Sequence, residues 1–340
     1  MRDRYHRQRI LGVVGDAGQE RLAAARVVII GCGALGTVLA ESLARAGVGT
    51  LILADRDLVE LTNLQRQTLY TEADAAEARP KAVAAAERLA AINSSIAVEA
   101  RPIDVDSSNV EALIAGATLV LDGTDNAAVR YLVNDACVKH GIAWVYGAAV
   151  ATEGRVMPVL PGRGPCLRCV FREMPAAGEL ATCDTVGVLG PVAGLVANLE
   201  AALAIRMLVI DDAPLQLHVI DAWDGRVQAI DVGQARDPEC PACGRGDFEF
   251  LRHAPADSAQ LCGQDAVQVR PPTSTTLDLP SLARRLSTAG RVQAMPFMVR
   301  FVPDERPGLK LTAFADGRLI VQGTRELSEA RSLYARFVGA

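Results

Sequence analysis

A short apolar segment that runs directly into a glycine-rich loop constrains the fold more than any other feature. Arg26–Ile30 reads RVVII, typical of a buried strand, and GCGALG follows at once at Gly31–Gly36, before a segment with helical character. Gly31, Gly33 and Gly36 let the backbone turn tightly and approach a phosphate, and the N-terminus of the next helix offers free N–H groups. This unit predicts a nucleotide-binding α/β fold.

Strand-like and helix-like segments alternate over the first 150 residues. The predicted strands are Arg26–Ile30, Thr50–Ala54, Ala97–Arg101, Ala117–Leu121 and Ala143–Tyr146, with helices after Pro80 and at Asn109–Ala115 and Asn126–His140. An antiparallel partner strand at Arg155–Leu160, an apolar helix at Pro191–Ile210 and strands at Leu215–Asp221 and Arg226–Val232 follow. The pattern predicts an α/β fold with a Rossmann-like, mainly parallel sheet and helices on both faces.

A change in composition near residue 245 predicts two domains, at 1–245 and 246–340. The second reads as a small α+β module, with a strand at Ala266–Val269, a helix at Leu279–Thr288 and three further strands before a final helix at Glu326–Val338. Asp316-Gly317 is a typical two-residue hairpin turn between the last two strands.

Charge and composition exclude several classes of function. The net charge of −5 and the isoelectric point near 5.5 give no electrostatic basis for binding nucleic acid. The N-terminus is charged and no run approaches 18 apolar residues, so we expect a cytoplasmic protein with no membrane partner. Eight cysteines in a long chain favour metal binding or catalysis over disulfides.

Polar residues after the second strand decide between two kinds of nucleotide. Asp55 lies about 20 residues beyond the loop, at a strand end, where it suits a ribose hydroxyl and by itself fits an NAD site. Asn63, Arg66, Gln67 and Lys81 add two amides and two cations, which a triphosphate needs and a dinucleotide does not. Taken singly, Arg66 and Lys81 could instead belong to a solvated helix face.

Asp125 is a candidate magnesium ligand. It belongs to DGTDN at Asp122–Asn126, at the carboxyl end of a predicted parallel strand, where ligands of such sheets bind. Mg²⁺ commonly uses one or two carboxylates together with phosphate oxygens. The alternative is that Asp125 caps the next helix, but a cap does not explain two aspartates within four residues.

Two Cys-x-x-Cys pairs predict a tetrahedral zinc site. Cys166 and Cys169 form one pair, and Cys240 and Cys243 form the other. Four thiolates leave no open coordination position, so the Zn²⁺ would be structural. The alternative is four buried or free cysteines.

In the order of its motifs, the chain resembles the ThiF/MoeB/HesA family, the bacterial branch of the ubiquitin-activating-enzyme superfamily. The matching segments are RYHRQ at Arg4–Gln8, GCGALG at Gly31–Gly36, the run Leu53–Tyr70, PKA at Pro80–Ala82, DGTDN at Asp122–Asn126, PCLRC at Pro165–Cys169, GVLGP at Gly187–Pro191 and PECPACG at Pro238–Gly244. The resemblance covers residues 3 to 245. It implies that the protein uses ATP and Mg²⁺ to adenylate the C-terminal glycine of a ubiquitin-like sulfur-carrier protein ending in Gly-Gly.

The resemblance also implies a role for each matched residue. Asp55 would bind the ribose, Arg66 and Lys81 the phosphates, and Asp125 the metal, with Asn63 and Gln67 supporting the pocket. Arg7 would reach into the active site of a partner subunit, so the resemblance implies a homodimer. In several members of the family a cysteine at the position of Cys183 links covalently to the activated carrier or takes part in sulfur transfer.

Some members carry a sulfur-transferring rhodanese domain where this chain has residues 246–340. That segment shows no short cysteine-centred, arginine-bearing loop of the rhodanese kind. A separate sulfur donor, a cysteine desulfurase or a rhodanese, is therefore expected.

Three other functions remain open on the sequence. An NAD-dependent oxidoreductase would leave Arg66, Lys81, Asp125 and the paired cysteines without a role. A non-catalytic, zinc-stabilised interaction protein would not need the charged nucleotide residues. Adenylation of a peptide in natural-product maturation fits the same motifs, and the carrier itself could serve molybdopterin synthesis, thiamine synthesis or tRNA thiolation.

Overall fold

The glycine loop follows a central strand of an eight-stranded sheet in the computed structural model, which describes residues 4–174, 183–252, 258–260, 265–271 and 276–339. The strands are β1 (Arg26–Ile30), β2 (Thr50–Ala54), β3 (Ala97–Arg101), β4 (Leu119–Asp122), β5 (Trp144–Val150), β6 (Glu153–Val159), β7 (Gln216–Asp221) and β8 (Arg226–Asp231). Their order is β3-β2-β1-β4-β5-β6-β7-β8. Strands β3 to β5 pair in parallel, and β5 to β8 pair antiparallel.

Helices cover both faces of this sheet, as the alternating sequence predicts. They are α1 (His6–Arg9), α2 (Gly15–Ala24), α3 (Ala34–Ala46), α4 (Glu72–Ala76), α5 (Lys81–Ile92), α6 (Val110–Ile114), α7 (Ala127–His140), α8 (Leu167–Val170), α9 (Cys183–Val186), α10 (Gly190–Ile210) and α11 (Glu249–Arg252), with 3₁₀ turns at Leu61–Asn63 and Gly233–Ala235. Alternate residues of β1 enter two cores: Val27 and Ile29 pack with residues of α3 and α10, Val28 and Ile30 with residues of α6 and α7. The predicted fold class is confirmed.

Helix α10 is longer and more apolar than the sequence analysis predicted for any segment of this chain. Its 21 residues have a mean hydropathy of 1.8 over their most apolar window, so by length and composition alone the helix could cross a membrane. Its position explains the apolar composition: it packs against α2, α3, β5 and β6, and Val192 and Val196 are fully buried in the core. A helix enclosed by protein needs the same residues as one enclosed by lipid.

The chain divides into two compact units, Met1–His253 and Ala254–Ala340. Phe250, beyond the predicted boundary, is buried in the core that contains α7. The second unit has strands β9 (Ser258–Gln260), β10 (Ala266–Val269), β11 (Gly290–Met295), β12 (Met298–Pro303), β13 (Lys310–Phe314) and β14 (Leu319–Gln322), and helices α12 (Leu279–Leu286) and α13 (Leu327–Phe337). Its sheet is antiparallel, in the order β11-β12-β13-β14-β10-β9.

Candidate active site

Each of the three glycines in the loop is explained by what a β-carbon would meet at its position, and the explanation differs between them. A β-carbon at Gly36 would lie 1.8 Å from the carbonyl oxygen of Gly31, and one at Gly31 would lie 2.6 Å from the Gly123 carbonyl. These glycines allow the loop, α3 and the end of β4 to pack backbone against backbone. At Gly33 the nearest atoms are 3.8 Å away, so this position leaves the surface of the loop open to a ligand.

Asp55 is fixed by two backbone amides. Its Oδ2 accepts a hydrogen bond from the N–H of Cys32 in the glycine loop at 2.6 Å, and its Oδ1 accepts one from the N–H of Asp57 at 2.7 Å. Burial raises the pKa of Asp55 to about 6, against the opposing effect of the Lys81 charge. The predicted ribose ligand is therefore a carboxylate held rigidly beside the loop.

Lys81 is buried and paired, which contradicts the alternative that it lies on a solvated helix face. Its side chain is 8% exposed, and its Nζ lies 3.0 Å from Asp57 Oδ2. Burial alone would lower the pKa of Lys81, but the carboxylates of Asp57 and Asp55 outweigh that effect and raise it. The N–H of Lys81 also donates to the carbonyl of Asp57 at 2.9 Å, so the backbone fixes the same pair.

Gln67 presents a buried polar atom that points to a ligand. Its Oε1 has no hydrogen-bond partner among the residues that the structure describes, and its Nε2 is the nearest side-chain atom to the open face of Gly33. A buried acceptor without a donor is costly. Asn63 stabilises the local turn, because its Oδ1 accepts a hydrogen bond from the N–H of Glu60 at 3.2 Å. Arg66 is half-buried, and its guanidinium donates a hydrogen bond to the carbonyl of Thr62 at 3.1 Å.

Asp125 does not cap helix α7. Asn126 is the capping residue, since its Oδ1 accepts from the N–H groups of Ala128 at 2.9 Å and Val129 at 3.3 Å. The capping alternative for Asp125 is therefore wrong. Asp125 is exposed at the carboxyl end of β4, where its role as a metal ligand stays a prediction.

Asp122, the other aspartate of the motif, has a structural role. It is buried, and its Oδ2 lies 2.9 Å from Nε of Arg130. Arg130 also donates to the carbonyls of Thr124 and Gly147. Asp122, the first aspartate of the motif, thus serves a buried ion pair.

The sequence analysis missed three charged residues beside the predicted site: Arg56, Asp57 and Asp104. Arg56 Nη1 lies 3.5 Å from both carboxylate oxygens of Asp104, and its Nε lies 3.6 Å from Asp57 Oδ1. Burial opposes the charge of Arg56, but Asp104 and Asp57 raise its pKa, with smaller effects from Asp125 and Asp55. The repeat Asp-Arg-Asp at the end of a predicted strand was the available signal.

The charges of this region do not balance. Four carboxylates, those of Asp55, Asp57, Asp104 and Asp125, act on Arg56, and three of them also act on Lys81, while Asp125 acts on Arg130 as well. Among these described groups the carboxylates outnumber the cations. A nucleotide triphosphate would enter such a place only together with cations that offset this excess.

The four paired cysteines come together. Sγ of Cys166 lies 3.6 Å from that of Cys240 and 3.9 Å from that of Cys169, and Cys169 and Cys243 are 3.3 Å apart. All four sulfur atoms lie within 4.8 Å of one another. Tetrahedral zinc with Zn–S bonds of about 2.3 Å places its sulfurs about 3.8 Å apart. The cluster can hold a metal ion, and its donor set fits Zn²⁺.

Helix α7 supports this cysteine cluster. The N–H of Leu167 donates to Asn134 Oδ1 at 2.9 Å, and Arg168, between the first two cysteines, lies 3.5 Å from Asp135 and 2.6 Å from Glu249. The Arg168 guanidinium also lies 5.1 Å from the centre of the Phe250 ring. Such contacts around the ligands fix their geometry.

For two of the predicted site residues, Arg7 and Cys183, no contact among the described residues links them to the nucleotide region. Arg7 lies on α1 with an exposed side chain. Cys183 begins α9, but its side chain lies outside the described part of the structure. The roles of both stay predictions, as do those of the other site residues.

A comparison with known proteins now decides the family. The ThiF family profile matches residues 5–242. The chain belongs to the ThiF family. The "Sulfur carrier protein ThiS adenylyltransferase" of Bacillus subtilis is 40% identical to this ThiF-family chain over 341 residues, which covers the whole of both proteins.

Two further relatives match about 71% of the ThiF-family chain. The "Sulfur carrier protein adenylyltransferase" of Thermus thermophilus is 42% identical over 249 residues, or 71% of this chain and 90% of that protein. The crystal structure of Escherichia coli MccB with ATP has a TM-score of 0.62 at 26% identity, covering 71% of this chain and 75% of that one. The family predicted from the sequence is confirmed.

Proposed function

We propose that this protein adenylates the C-terminal glycine of a ubiquitin-like sulfur-carrier protein, using ATP with Mg²⁺ and releasing pyrophosphate. The observation that carries the proposal is the buried, charged Lys81, whose charge acts on Asp55 and on Cys32 of the glycine loop. The open position at Gly33 and the Gln67 oxygen, which has no partner among the described residues, support it. Relatives named as sulfur-carrier adenylyltransferases support the reaction, and a similar fold crystallised with ATP supports the nucleotide.

The chain's own residues would act by position and charge. Asp55 would accept a hydrogen bond from a ribose hydroxyl, while Lys81 and Arg66 would contact phosphate oxygens. Asp125 would hold Mg²⁺, which when bound neutralises charge on the phosphates. The excess negative charge of the cluster favours a nucleotide that arrives with its metal.

The chemical step needs no general base from the protein. The carrier's C-terminal carboxylate is already a nucleophile, and it would attack the α-phosphorus as pyrophosphate leaves. Catalysis then consists of alignment and stabilisation of charge on the phosphates, which fixed cations provide without reorganisation.

The carrier is proposed to be of the ThiS type. The relative named for ThiS aligns with the whole chain, including the second unit, whereas the Thermus protein matches 71% of it. The second unit is antiparallel, with α12 and α13 packed on one side of its sheet, and its sequence has no rhodanese-like cysteine loop. We therefore propose a separate sulfur donor.

Three further features belong to the same proposal. Zn²⁺ held by the four clustered cysteines would tie the segment after β6 to the end of the first unit. Arg7 would enter the active site of a second copy in a homodimer. Cys183 would form a covalent link with the activated carrier, and the protein would work in the cytoplasm.

The test is ATP–pyrophosphate exchange with a carrier ending in Gly-Gly. We expect exchange with the intact carrier and none with a carrier that lacks its final glycine. Exchange driven by short peptides instead would favour peptide adenylation. Thermal stabilisation by NAD but not by ATP with Mg²⁺ would contradict the proposal.

A further inference from the structure

Arg56 joins the carboxyl ends of two neighbouring parallel strands. Asp57 follows β2 and Asp104 follows β3, and the guanidinium reaches both carboxylates, at 3.6 Å and 3.5 Å. Its side chain is 29% exposed and that of Asp104 is 11% exposed, so these charges are only partly screened by water.

Asp57 serves two cations at once. Its Oδ1 faces Arg56, and its Oδ2 lies 3.0 Å from Lys81 Nζ. A single carboxylate can neutralise only one positive charge. Asp55 and Asp125 act on Lys81 as well. Because Arg56 shares Asp57, that carboxylate offsets less of the Lys81 charge, and the ammonium attracts an anion more strongly than it would without Arg56.

We propose that Arg56 is a positioning residue of the nucleotide site, which prevents Asp57 from neutralising Lys81 fully and so keeps that ammonium available to phosphate. The inference rests on the proposed function, in which Lys81 binds ATP. Arg56 acts through Asp57 and does not touch the reacting atoms. It therefore governs the affinity for ATP with Mg²⁺ and not the rate of the chemical step.

Two substitutions with opposite expected effects test this role. In Arg56→Gln, Asp57 is left to pair with Lys81 alone, and the Kd for ATP with Mg²⁺ rises about tenfold, a change of roughly 1.4 kcal/mol. In Asp104→Asn, Arg56 loses the carboxylate with the largest effect on it and turns more fully to Asp57, so the Kd stays the same or falls. If Arg56 merely linked β2 to β3, both variants would break that link and weaken binding alike.

Calorimetric titration with ATP and Mg²⁺ gives the Kd without any carrier protein. The effect of Arg56→Gln should shrink between about 50 mM and 500 mM salt, because the groups are partly exposed. In exchange assays KM for ATP rises while kcat stays within about twofold. Arg45→Gln is the matched control, since Arg45 is exposed and pairs with Glu41 on its own helix.

The outcomes separate this inference from the proposed function. No binding of ATP with Mg²⁺ by the unaltered protein overturns the proposed function and the inference with it. Normal binding by the unaltered protein together with an unchanged Kd in Arg56→Gln, or equal losses in both variants, overturns the inference alone. If Arg56→Gln does not fold, Arg56→Lys replaces it, with an expected Kd rise of about threefold because one charge remains but the two-sided contact is lost.

Discussion

The backbone N–H of Asp122 donates a hydrogen bond to Glu200 Oε1 at 3.1 Å, joining the end of β4 to the middle of α10. Glu200 is fully buried, and in the described residues nothing hydrogen-bonds its Oε2. A β-carbon at Gly147 would lie 2.3 Å from that oxygen, so the carboxyl group lies against the bare backbone of β5. Burial and the Asp122 charge raise the pKa of Glu200 well above its ordinary value, although Arg130 acts the other way. The folded protein therefore holds the Glu200 proton to a higher pH than the unfolded chain does.

The raised pKa of Glu200 predicts a loss of stability at higher pH. Above the ordinary value of 4.5 the unfolded chain releases this proton while the folded protein keeps it, so the free energy of unfolding falls as pH rises. The slope approaches about 1.4 kcal/mol per pH unit until the folded-state pKa is reached. Glu200→Gln should lack this slope, and its stability relative to the parent should grow as the pH rises above the ordinary value of 4.5. Urea unfolding at several pH values measures this, and parallel profiles would show that Glu200 is ionised in the fold.

Gly36 and Gly33 should respond differently to the same substitution. Gly36→Ala places a methyl group 1.8 Å from the Gly31 carbonyl and should cost about 3 kcal/mol of stability. Gly33→Ala meets nothing closer than 3.8 Å, so stability should change by less than about 1 kcal/mol while ATP with Mg²⁺ binds more weakly. Chemical denaturation and calorimetry give the two quantities. Equal loss of stability in both variants would refute the distinction.

Asp125→Asn should separate activity from stability. The residue is exposed and caps no helix, so the thermal midpoint should stay unchanged. Loss of a metal-binding carboxylate should lower ATP–pyrophosphate exchange by about 10²-fold or more. Asp304→Asn, at an exposed aspartate of the second unit, is the control. Near-normal exchange in Asp125→Asn would remove the residue from the mechanism.

Metal removal should destabilise the first unit. We expect about one zinc ion per chain, and treatment with a strong chelator should lower the thermal midpoint by roughly 10 °C, as loss of several kcal/mol implies. Cys240→Ser should contain no zinc, whereas Cys137→Ala, which removes a buried thiol of α7 outside the cluster, should retain it. Absence of zinc from carefully prepared parent protein would refute the assignment.

The sequence predicted those features that depend on local pattern. Alternating strand-like and helix-like segments predicted a mainly parallel sheet with helices on both faces, and the spacing of the cysteines predicted the cluster that the structure brings together. The order of the strands within the sheet was not predicted. The pairs Arg56–Asp104 and Lys81–Asp57 were not predictable, because they form only when the ends of β2 and β3 and the start of α5 come together. Strand β11 was missed because it is an edge strand with no fully buried side chain, which leaves little hydrophobic alternation.

The sequence also could not show which of two neighbouring residues caps helix α7, because both residue types are common helix caps. Asp125 and Asn126 both have side chains that can cap a helix, and only the backbone course places Asn126 at that position. The burial of Glu200 was not predicted, because the sequence of an apolar helix does not show whether a single acidic side chain in it is enclosed.

Helix α7 has different tasks at its two ends. Its N-terminus is capped by Asn126, next to the proposed magnesium ligand, and Asn134 and Asp135 farther along contact the segment that carries the first two thiolates. The proposed zinc site and the proposed magnesium ligand would thus be held by one helix. We therefore expect a chelator that removes only the zinc to lower adenylation as well.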